Sequence, residues 1–514
     1  MKKPVRNTFT LLAIPLVVAW SISGQTSNAQ TVPRANAYGT YKPEYTKSAP
    51  TKPGEIPQHI DTYTPGKMPL KPLEIPTDVQ ARLAALSPEQ VEFLKSGKTA
   101  GIVGTQDLFA RVRKSASTDE LKAYVDAIIS VYEQVQFHPG EDPDRITLNT
   151  ASPSFNKWRL RRPAGLDPKR EPGPVSLSRY VGGRGGALPT FAGAPVAFTS
   201  EDLKAGKVDV AIMGAPLNMG SGWRDADHAP TAMRLDHSAG GTDVFSMLDP
   251  GQVLNIVDYG DVAVDQLNTD RSVQEVRRVV REVAQAGSIP FVIGGDHSLE
   301  YPNVAAMADV YGKGNVGVVH FDSHLDTGRG RVHLLDHGQP IYRVMKEGHI
   351  RPEDYIQVGL RAHYTKDYYD WERLIGMNYH TMAEVERRGW PAVMERVLNE
   401  AKKHTKYLYV SFDVDVLDPA VEPGTGTPVP GGLTMREAIP IVRRLCAETR
   451  LVGFDIVEVA PQLDPTYRSA MNANALMHAC LSGVAMRKKG LTQPWYVSPL
   501  TSDHGQDNYF GDKK

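Results

Sequence analysis

From about residue 188 onward, short apolar runs alternate with helical segments, and this alternation constrains the fold more than any other feature. Several of the runs are apolar on both faces. A strand of that kind has to be covered on both sides, as happens in a parallel sheet packed between helices. The sequence therefore predicts an α/β domain built on a parallel sheet. The runs lie at 208–216, 253–262, 289–298, 316–324, 355–361, 377–381, 407–419 and 451–461.

Acidic and imidazole side chains follow four of these runs, at the point where each run ends. In a parallel sheet the carboxyl ends of the strands meet at one edge, and ligands bind there. Asp322, His324 and Asp326 alternate along the sequence, and a strand would direct alternate side chains to one face. We therefore expect these side chains to converge. The full set is Asp296, His297, Asp322, His324, Asp326, Asp413, Asp415, Asp455 and Glu458.

A cluster of carboxylates at this edge predicts bound metal ions. Crowded carboxylates repel one another, and burial makes the repulsion more costly, whereas divalent cations would turn it into binding energy. Mixed carboxylate and imidazole ligands favour a first-row ion such as Mn²⁺ over Ca²⁺, and the lack of thiolates argues against structural zinc. The simpler interpretation is a set of solvated strand ends. It is disfavoured because several such motifs occur in order on one sheet.

The first thirty residues have the pattern of a secretory signal peptide. Lys2, Lys3 and Arg6 precede the short apolar run 9–20, FTLLAIPLVVAW, and small residues follow it. The run is too short to span a membrane. We expect export to the periplasm or the medium, with residues 1–29 removed and no membrane association afterwards. An uncleaved membrane anchor is the alternative.

The length and charge of the chain limit its domain organisation and its possible partners. The chain has 514 residues, 41% of them hydrophobic, and a formal net charge of -1. No basic stripe stands out, so we expect no nucleic-acid partner. The length fits one large catalytic domain with an additional segment. We assign residues 30–186 to an N-terminal extension and 187–505 to the catalytic domain.

Within the extension, residues 30–78 are rich in Pro, Lys, Thr and Tyr. This composition predicts an extended segment that either wraps the surface or is disordered. Residues 77–137 have helical periodicity, with helix starts expected near Ser87 and at Ser117 or Thr118. The Pro-, Gly- and Arg-rich stretch that follows, 138–186, predicts irregular structure.

The chain has two cysteines, Cys446 and Cys480, and each lies in a helical stretch. Buried free thiols are common in such positions, so we expect two ordinary thiols. Export into an oxidising compartment leaves a bridge between them as the alternative.

The motifs together resemble the ureohydrolase superfamily of arginases, agmatinases and related guanidino-compound hydrolases. The resemblance covers about residues 186–500 and implies a three-layer α/β/α fold with a central eight-stranded parallel sheet. It also implies two Mn²⁺ ions, although some relatives prefer Ni²⁺, and a homo-oligomer, either a trimer or a hexamer. The motifs are LPTFAGAP (188–195), GGDHS (294–298), FDSHLDT (321–327), SFDVDVLDPAVEPGTGTPVPGG (411–432) and DIVEVAP (455–461).

The resemblance also implies roles for individual residues. Glu458 matches the acid that pairs with the substrate guanidinium, His337 matches a histidine that moves protons or polarises the substrate, and Thr427 matches a residue that orients the guanidinium. His333 is the alternative to His337. Asp322 and Asp413 match the carboxylates that bridge the metals, and Asp326 is counted with the catalytic residues as well as with the ligands. The six implied ligands are His297, Asp322, His324, Asp326, Asp413 and Asp415.

Two stretches depart from the family pattern where the substrate is recognised. Arg329 and Arg331 stand where arginases have the Ser and Asn side chains that bind the substrate's amino-acid end, so arginine is not the expected substrate. Agmatine, a guanidino acid and guanidine remain open. The loop 218–234 is also unusual, and its Trp223 is a candidate for contacting a small cation through its ring, with simple packing as the alternative.

Four functions compete at this stage. The leading one is hydrolysis of a guanidino compound to urea and an amine or ammonia. A formimidoylglutamase-type hydrolase would release formamide instead. A non-catalytic exported protein that binds guanidinium would be expected to lack ligands, and all six are present. A deacetylase of related fold has a mononuclear site and is disfavoured by the paired motifs.

Overall fold

The computed structural model describes residues 50–58, 60, 73–134, 171–176, 189–221, 225–236, 239–328 and 335–502. Its centre is an eight-stranded sheet with the order β2-β1-β3-β8-β7-β4-β5-β6, in which every neighbouring pair is parallel. The prediction of a parallel sheet is confirmed. The strands are β1 (Val210–Ala215), β2 (Ile256–Asp261), β3 (Ile289–Gly294), β4 (Val316–Phe321), β5 (Tyr355–Leu360), β6 (Asn378–Thr381), β7 (Tyr407–Asp413) and β8 (Leu451–Val457).

Alternate strand residues enter two separate apolar cores, one on each face of the sheet. On β1, Val210 and Ile212 join one core, and Ala211 and Met213 join the other. Helices cover both faces, so the molecule has the expected three layers. The helices after the extension are α5 (Ser200–Ala205), α6 (Ala229–Leu235), α7 (Pro250–Val253), α8 (Thr269–Gln285), α9 (Glu300–Tyr311), α10 (Pro340–Lys346), α11 (Lys366–Ile375), α12 (Met382–Arg388), α13 (Trp390–Lys403), α14 (Met435–Glu448) and α15 (Arg468–Lys488).

The described residues of the extension include four helices with an apolar core of their own. They are α1 (Thr77–Leu83), α2 (Pro88–Lys95), α3 (Thr105–Lys114) and α4 (Thr118–Gln134), and side chains such as Leu94 and Val125 are buried among them. Ser87 and Gln90 form a reciprocal capping box at the start of α2. Ser117 accepts a hydrogen bond from the backbone of Glu120 at the start of α4. The helical periodicity of this region therefore predicted its structure correctly.

Part of the Pro-rich segment lies against the catalytic domain. Gly314 and Gly348 approach Pro53 and Gly54 so closely that an added Cβ would lie 2.5 Å and 2.7 Å from their backbone atoms. Ile60 is buried in one of the two apolar cores. The described part of the segment thus wraps the surface, as one of the two expectations had it. The signal-peptide prediction and most of 138–186 lie outside the described residues. Among the described helices, none is long and apolar enough to cross a membrane.

Cys446 and Cys480 form a disulfide, so the expectation of two free thiols was wrong. The bridge joins α14 to α15, with the two Cα atoms 5.4 Å apart. Gly483 explains why the helices can approach so closely: a Cβ there would lie 2.4 Å from the carbonyl oxygen of Arg443 and 2.6 Å from Cβ of Cys446. This proximity is a tertiary property that the spacing of two cysteines in the sequence does not reveal.

Candidate metal centre and substrate site

The predicted site residues lie in or after the last part of β3, β4, β7 and β8, which are neighbours in the middle of the sheet. Their side chains meet at the carboxyl edge, and nearly all of them are buried. Four groups of described side chains have candidate ligand atoms within 4.8 Å of one another, and two of these groups consist only of predicted metal ligands. These two groups are His297, Asp322 and Asp413, and Asp322, His324 and Asp415.

The first group is arranged around one ring nitrogen. Nδ1 of His297 lies 3.0 Å from Oδ2 of Asp322, 3.0 Å from Oδ2 of Asp326 and 3.2 Å from Oδ2 of Asp413. On the far side of the ring, Nε2 lies 3.0 Å from Oγ of Ser411. Ser411 donates its own proton to Asp455, at 2.7 Å, and therefore accepts the Nε2–H of His297. This arrangement leaves Nδ1 as the nitrogen that faces the carboxylates.

The second group uses the other oxygen of Asp322. Nδ1 of His324 lies 3.3 Å from Oδ1 of Asp322 and 2.9 Å from Oδ2 of Asp415. Asp322 thus belongs to both groups, one oxygen facing each. Asp413 belongs to the first of the two groups. The bridging roles expected of Asp322 and Asp413 stay predictions.

The convergence of Asp322, His324 and Asp326 was predicted correctly, but for the wrong geometric reason. Strand β4 ends at Phe321, so the three residues are not in a strand. Asp326 has φ of +45°, in the left-handed region that favours glycine. The chain therefore turns after β4 and directs the side chains together from a loop. A non-glycine residue in this region stores strain, which is most often found at functional sites.

Burial dominates the electrostatics of the cluster. Burial and the nearby Asp415 and Asp322 raise the pKa of Asp413 well above its usual value. Burial and the charge of Asp322 likewise raise the pKa of Asp326, to about 6. Burial alone would raise the pKa of Asp322 too, but hydrogen bonds from His297, His320 and His324 hold it well below its usual value. The ionised carboxylates therefore need nearby positive charge. Divalent cations would supply it, and carboxylate and imidazole groups are suitable ligands for them.

Glu458 and His337 form a pair beside the cluster. Oε1 of Glu458 accepts hydrogen bonds from the backbone N–H of His297, at 3.0 Å, and from Nδ1 of His337, at 2.9 Å. Oε2 is buried and has no hydrogen-bond partner among the described residues. Burial alone would lower the pKa of His337, but the bond to Glu458 raises it to about 9. Glu458 also has a left-handed backbone, with φ of +62°.

The remaining predicted residues divide into two sets. Oγ1 of Thr427 donates to Oδ2 of Asp415 at 3.2 Å, so Thr427 lies beside the second group. Asp296 accepts from the backbone N–H of Ser221 at 2.9 Å and so contacts the loop that follows β1. Trp223, Arg329, Arg331 and His333 lie outside the described residues, so their expected contacts stay predictions.

A second buried layer, which the sequence motifs did not predict, lies behind the cluster. Nε2 of His320 lies 3.2 Å from Oδ2 of Asp322, and its Nδ1 lies 3.0 Å from Oε2 of Glu300. The hydroxyl of Tyr355 donates to Oε1 of Glu300. His320 lies two positions before Asp322, so the alternation of strand side chains was a signal that could have identified it. Glu300 and Tyr355 are distant in sequence from His320 and gave no such signal.

Comparisons with known proteins agree with this geometry. Residues 208–483 match the family model described as the arginase family. The chain belongs to the arginase family. This confirms the resemblance seen in the motifs, and the match contains both groups of candidate ligands, Glu458 and His337. Family membership implies a centre for two divalent metals, and two ligand groups that share Asp322 fit such a centre.

Individual relatives of this arginase-family chain support the same placement. It is 35% identical over 303 residues to an agmatinase of Chromobacterium violaceum, a match covering 56% of this chain and 87% of that protein. It is 32% identical over 330 residues to a mitochondrial guanidino acid hydrolase of Homo sapiens, covering 63% of this chain and 89% of that protein. A solved structure, a hypothetical agmatinase from Burkholderia thailandensis, has a TM-score of 0.52 and 33% identity, covering 59% of this chain and 92% of the other.

Proposed function

We propose that this protein is a metal-dependent ureohydrolase that hydrolyses the guanidinium group of a small guanidino compound to urea and an amine or ammonia. The observation that carries the proposal is the position of Glu458 beside two ligand groups that share Asp322. One buried oxygen of Glu458 is held by two donors, and the other has no partner among the described residues. A carboxylate held in this way is the natural partner of a planar guanidinium.

Within this proposal, two Mn²⁺ ions occupy the two groups, with Ni²⁺ as the alternative. His297, Asp322, Asp326 and Asp413 would hold one ion, and Asp322, His324 and Asp415 would hold the other. Ser411 supports the assignment because it takes the Nε2–H of His297 and leaves Nδ1 for the metal. When bound, two close divalent ions acidify a water molecule and so supply a nucleophile at neutral pH.

The other site residues act on the substrate. Glu458 holds the guanidinium, and His337, charged beside it, gives a proton to the nitrogen that leaves as the amine. Thr427 keeps Asp415 in position and borders the guanidinium. Overall, one water is consumed, its oxygen bonds to the guanidinium carbon, and the carbon–nitrogen bond to the amine breaks. Trp223 is proposed to contact the far end of the substrate.

The substrates proposed for this protein are fewer than those of the arginase family as a whole, because arginine is not expected among them. The relatives named above include an agmatinase and a guanidino acid hydrolase, so both a cationic and an anionic far end are represented. Arg329 and Arg331 would favour an anionic end if they face the pocket. We therefore propose that agmatine and short guanidino acids are the compounds to test first, with guanidine as a minimal substrate.

We also propose that the mature protein is exported. The apolar run behind a positive start supports a signal peptide, and the buried disulfide supports an oxidising compartment. Expression of the full chain in a bacterial host tests the proposal. The protein is expected in the periplasm or medium, with its N-terminus at about residue 30 by mass spectrometry. Retention of residues 1–29 in the cytoplasm would contradict it.

A homo-oligomer, either a trimer or a hexamer, is the proposed assembly, supported by the resemblance to the family. Size-exclusion chromatography with light scattering measures it directly. The mass expected for one chain of 514 residues is 56.4 kDa before any cleavage. A single-chain mass across a range of protein concentrations would contradict this part of the proposal.

A urea-release screen tests the activity. The purified protein is loaded with Mn²⁺ or Ni²⁺ and offered agmatine, 4-guanidinobutyrate, 3-guanidinopropionate, arginine and guanidine. Urea is expected from at least one compound other than arginine. Formimidoylglutamate is the comparison substrate, and formamide from it without urea from the panel would favour the formimidoylglutamase-type alternative. No product from any compound, with two metals bound, would favour the binding-protein alternative and overturn the proposal.

A further inference from the structure

Arg361 follows β5, and its guanidinium is enclosed by backbone carbonyls rather than by acids. No carboxylate of a described residue lies within ion-pairing distance of it. Its Nε and both Nη atoms donate along the fixed directions of the guanidinium fork. The acceptors are the carbonyl oxygens of Asp415 (2.7 Å), Val416 (3.0 Å), Leu417 (3.0 Å), Gly359 (3.2 Å), Val429 (2.6 and 3.0 Å) and Pro430 (3.3 Å).

Most of these carbonyls belong to the two segments that border the second ligand group. Residues 415–417 lie in the turn that follows β7 and include Asp415 itself. Residues 429–430 lie in the loop that carries Thr427, whose Oγ1 donates to Oδ2 of Asp415. The guanidinium therefore connects the backbone of Asp415 to the loop that contacts its side chain.

The backbone of Arg361 connects the same residue to a third segment. Its N–H donates to the carbonyl oxygen of Ser323 at 3.0 Å. Ser323, which lies between Asp322 and His324, donates from its N–H and its Oγ to Oδ1 of Asp415, at 3.0 Å and 2.8 Å. Arg361 thus contacts every segment that supplies the Asp322, His324 and Asp415 group. Its hydrogen bonds within the described part of the chain do not include one to His297 or Asp413 of the other group.

Glycines make room for this guanidinium. A Cβ on Gly432 would lie 2.6 Å from Nη2 of Arg361 and 2.5 Å from the carbonyl carbon of Leu417. Gly359 has φ of +103°, and a Cβ there would lie 2.3 Å from Cγ2 of Val416. Two positions without side chains therefore border the enclosure, which leaves the guanidinium in contact with backbone on several sides.

We propose that Arg361 is a positioning residue for the His324–Asp415 half of the metal centre. The guanidinium fixes the backbone of Asp415 and keeps the Thr427 loop against it, so that both oxygens of Asp415 are held before a metal binds. The inference rests on the two-metal centre of the proposed function. Lysine retains the positive charge but carries its donors on one nitrogen, so it cannot bridge segments on several sides.

The Arg361→Lys variant tests the inference by metal content. After dialysis against a fixed concentration of free Mn²⁺, the wild-type protein is expected to hold two ions per chain and the variant one. The affinity for the second ion should fall about 10- to 100-fold, the range for losing a group that orients a ligand. Electron paramagnetic resonance should show a coupled Mn²⁺ pair in the wild type and an isolated ion in the variant. Excess Mn²⁺ should restore the pair.

Arg443→Lys is the matched control. Arg443 is a buried arginine on α14 that stacks on Phe245 and makes no contact with the ligand groups. Its replacement should lower the free energy of unfolding and leave two coupled ions in place. If Arg361→Lys behaves in the same way, the role of Arg361 is structural only and the inference is overturned.

Other outcomes also decide the question. Equal loss of both ions from Arg361→Lys would contradict an effect on one half of the centre. Failure of the variant to fold in saturating Mn²⁺ would show that the whole domain requires Arg361, and would overturn the inference as well. A wild-type protein that holds a coupled pair but releases no urea would refute the proposed function and leave the inference standing.

Discussion

Glu458 and His337 share a hydrogen bond in which Nδ1 of His337 lies 2.9 Å from Oε1 of Glu458. The same oxygen accepts the backbone N–H of His297 at 3.0 Å. These two donors come from segments after β4 and β3, while Glu458 itself follows β8. The carboxylate is therefore held from two sides through one oxygen, and its other oxygen is left for a ligand.

We expect Glu458→Gln to lose activity while keeping both metals. The amide has the same shape but no negative charge, so it cannot form a charged pair with the guanidinium. The value of kcat/KM should fall by roughly 100- to 1,000-fold, as for loss of one charge-stabilising group in other enzymes. Urea release and metal content are measured on the same sample.

The control for this variant is Glu347→Gln. Glu347 is a largely buried glutamate outside the site, and it accepts a hydrogen bond from Tyr301. Unchanged activity in Glu458→Gln, or loss of metal from it, would be inconsistent with the assigned role.

Asp413→Ala should remove metal and activity together. Oδ2 of Asp413 lies 3.2 Å from Nδ1 of His297, and loss of the carboxylate leaves the first group with fewer oxygen ligands. Metal content by mass spectrometry should fall below two ions per chain, and urea release should fall in proportion. Asp354→Asn is the control, because Asp354 is a buried aspartate beside Arg351 at the start of β5. Full activity of Asp413→Ala with two metals bound would show that the ligand set is wrong.

Periodicity made much of the fold predictable. Strands such as β4 and β7 are apolar on both faces and are buried along nearly their whole length. Such strands need helices on both faces of the sheet to cover them. The carboxyl ends of parallel strands share an edge, so the acids and histidines after β3, β4, β7 and β8 had to meet. The position of the site therefore follows from the sequence pattern.

Features that depend on distant residues could not be predicted in the same way. The left-handed turn at Asp326 replaces the strand geometry that the alternation suggested. The guanidinium of Arg361 is enclosed by backbone carbonyls. Every residue has such a carbonyl, so the types of the neighbouring residues do not indicate this enclosure. The disulfide depends on how closely α14 and α15 approach at Gly483. The enclosure and the disulfide are contacts between segments far apart in sequence, where local propensity carries no information.

Removing the disulfide should destabilise the protein without changing its chemistry. The bridge closes a loop with a sequence separation of 34 residues. The double variant Cys446→Ala, Cys480→Ala should lose about 3–4 kcal/mol of unfolding free energy, because the open chain gains conformational entropy when unfolded. Denaturant titration measures the change, and kcat at a temperature below the transition should be close to the wild-type value. An unchanged denaturation midpoint would mean that the bridge does not form in solution.

Glu422 should make stability depend on pH. Its side chain is fully buried, Oε2 accepts from Asn472 at 3.1 Å, and Oε1 has no hydrogen-bond partner among the described residues. Burial raises the pKa of Glu422 from 4.5 to about 7, and the nearby Asp464 adds to the shift. Because the folded-state pKa is the higher one, the stabilisation is complete below the unfolded pKa of 4.5. It is lost as pH rises through about 7.

The Glu422→Gln variant separates this effect from other titrations. Glutamine stays neutral at every pH. From acid pH to pH values above the folded pKa, the free energy of unfolding of the variant should therefore gain about 3 kcal/mol relative to that of the wild type. Unfolding free energies are measured by urea titration across that range at a fixed Mn²⁺ concentration. Glu347→Gln is the opposite control, because His349 and other hydrogen-bonding partners lower the pKa of Glu347 in spite of its burial. Above the unfolded pKa, ionised Glu347 stabilises the folded protein, so Glu347→Gln should have a lower free energy of unfolding than the wild type there. This difference should shrink as the pH falls. A difference between wild type and Glu422→Gln that does not change with pH would show that Glu422 ionises normally in the folded protein.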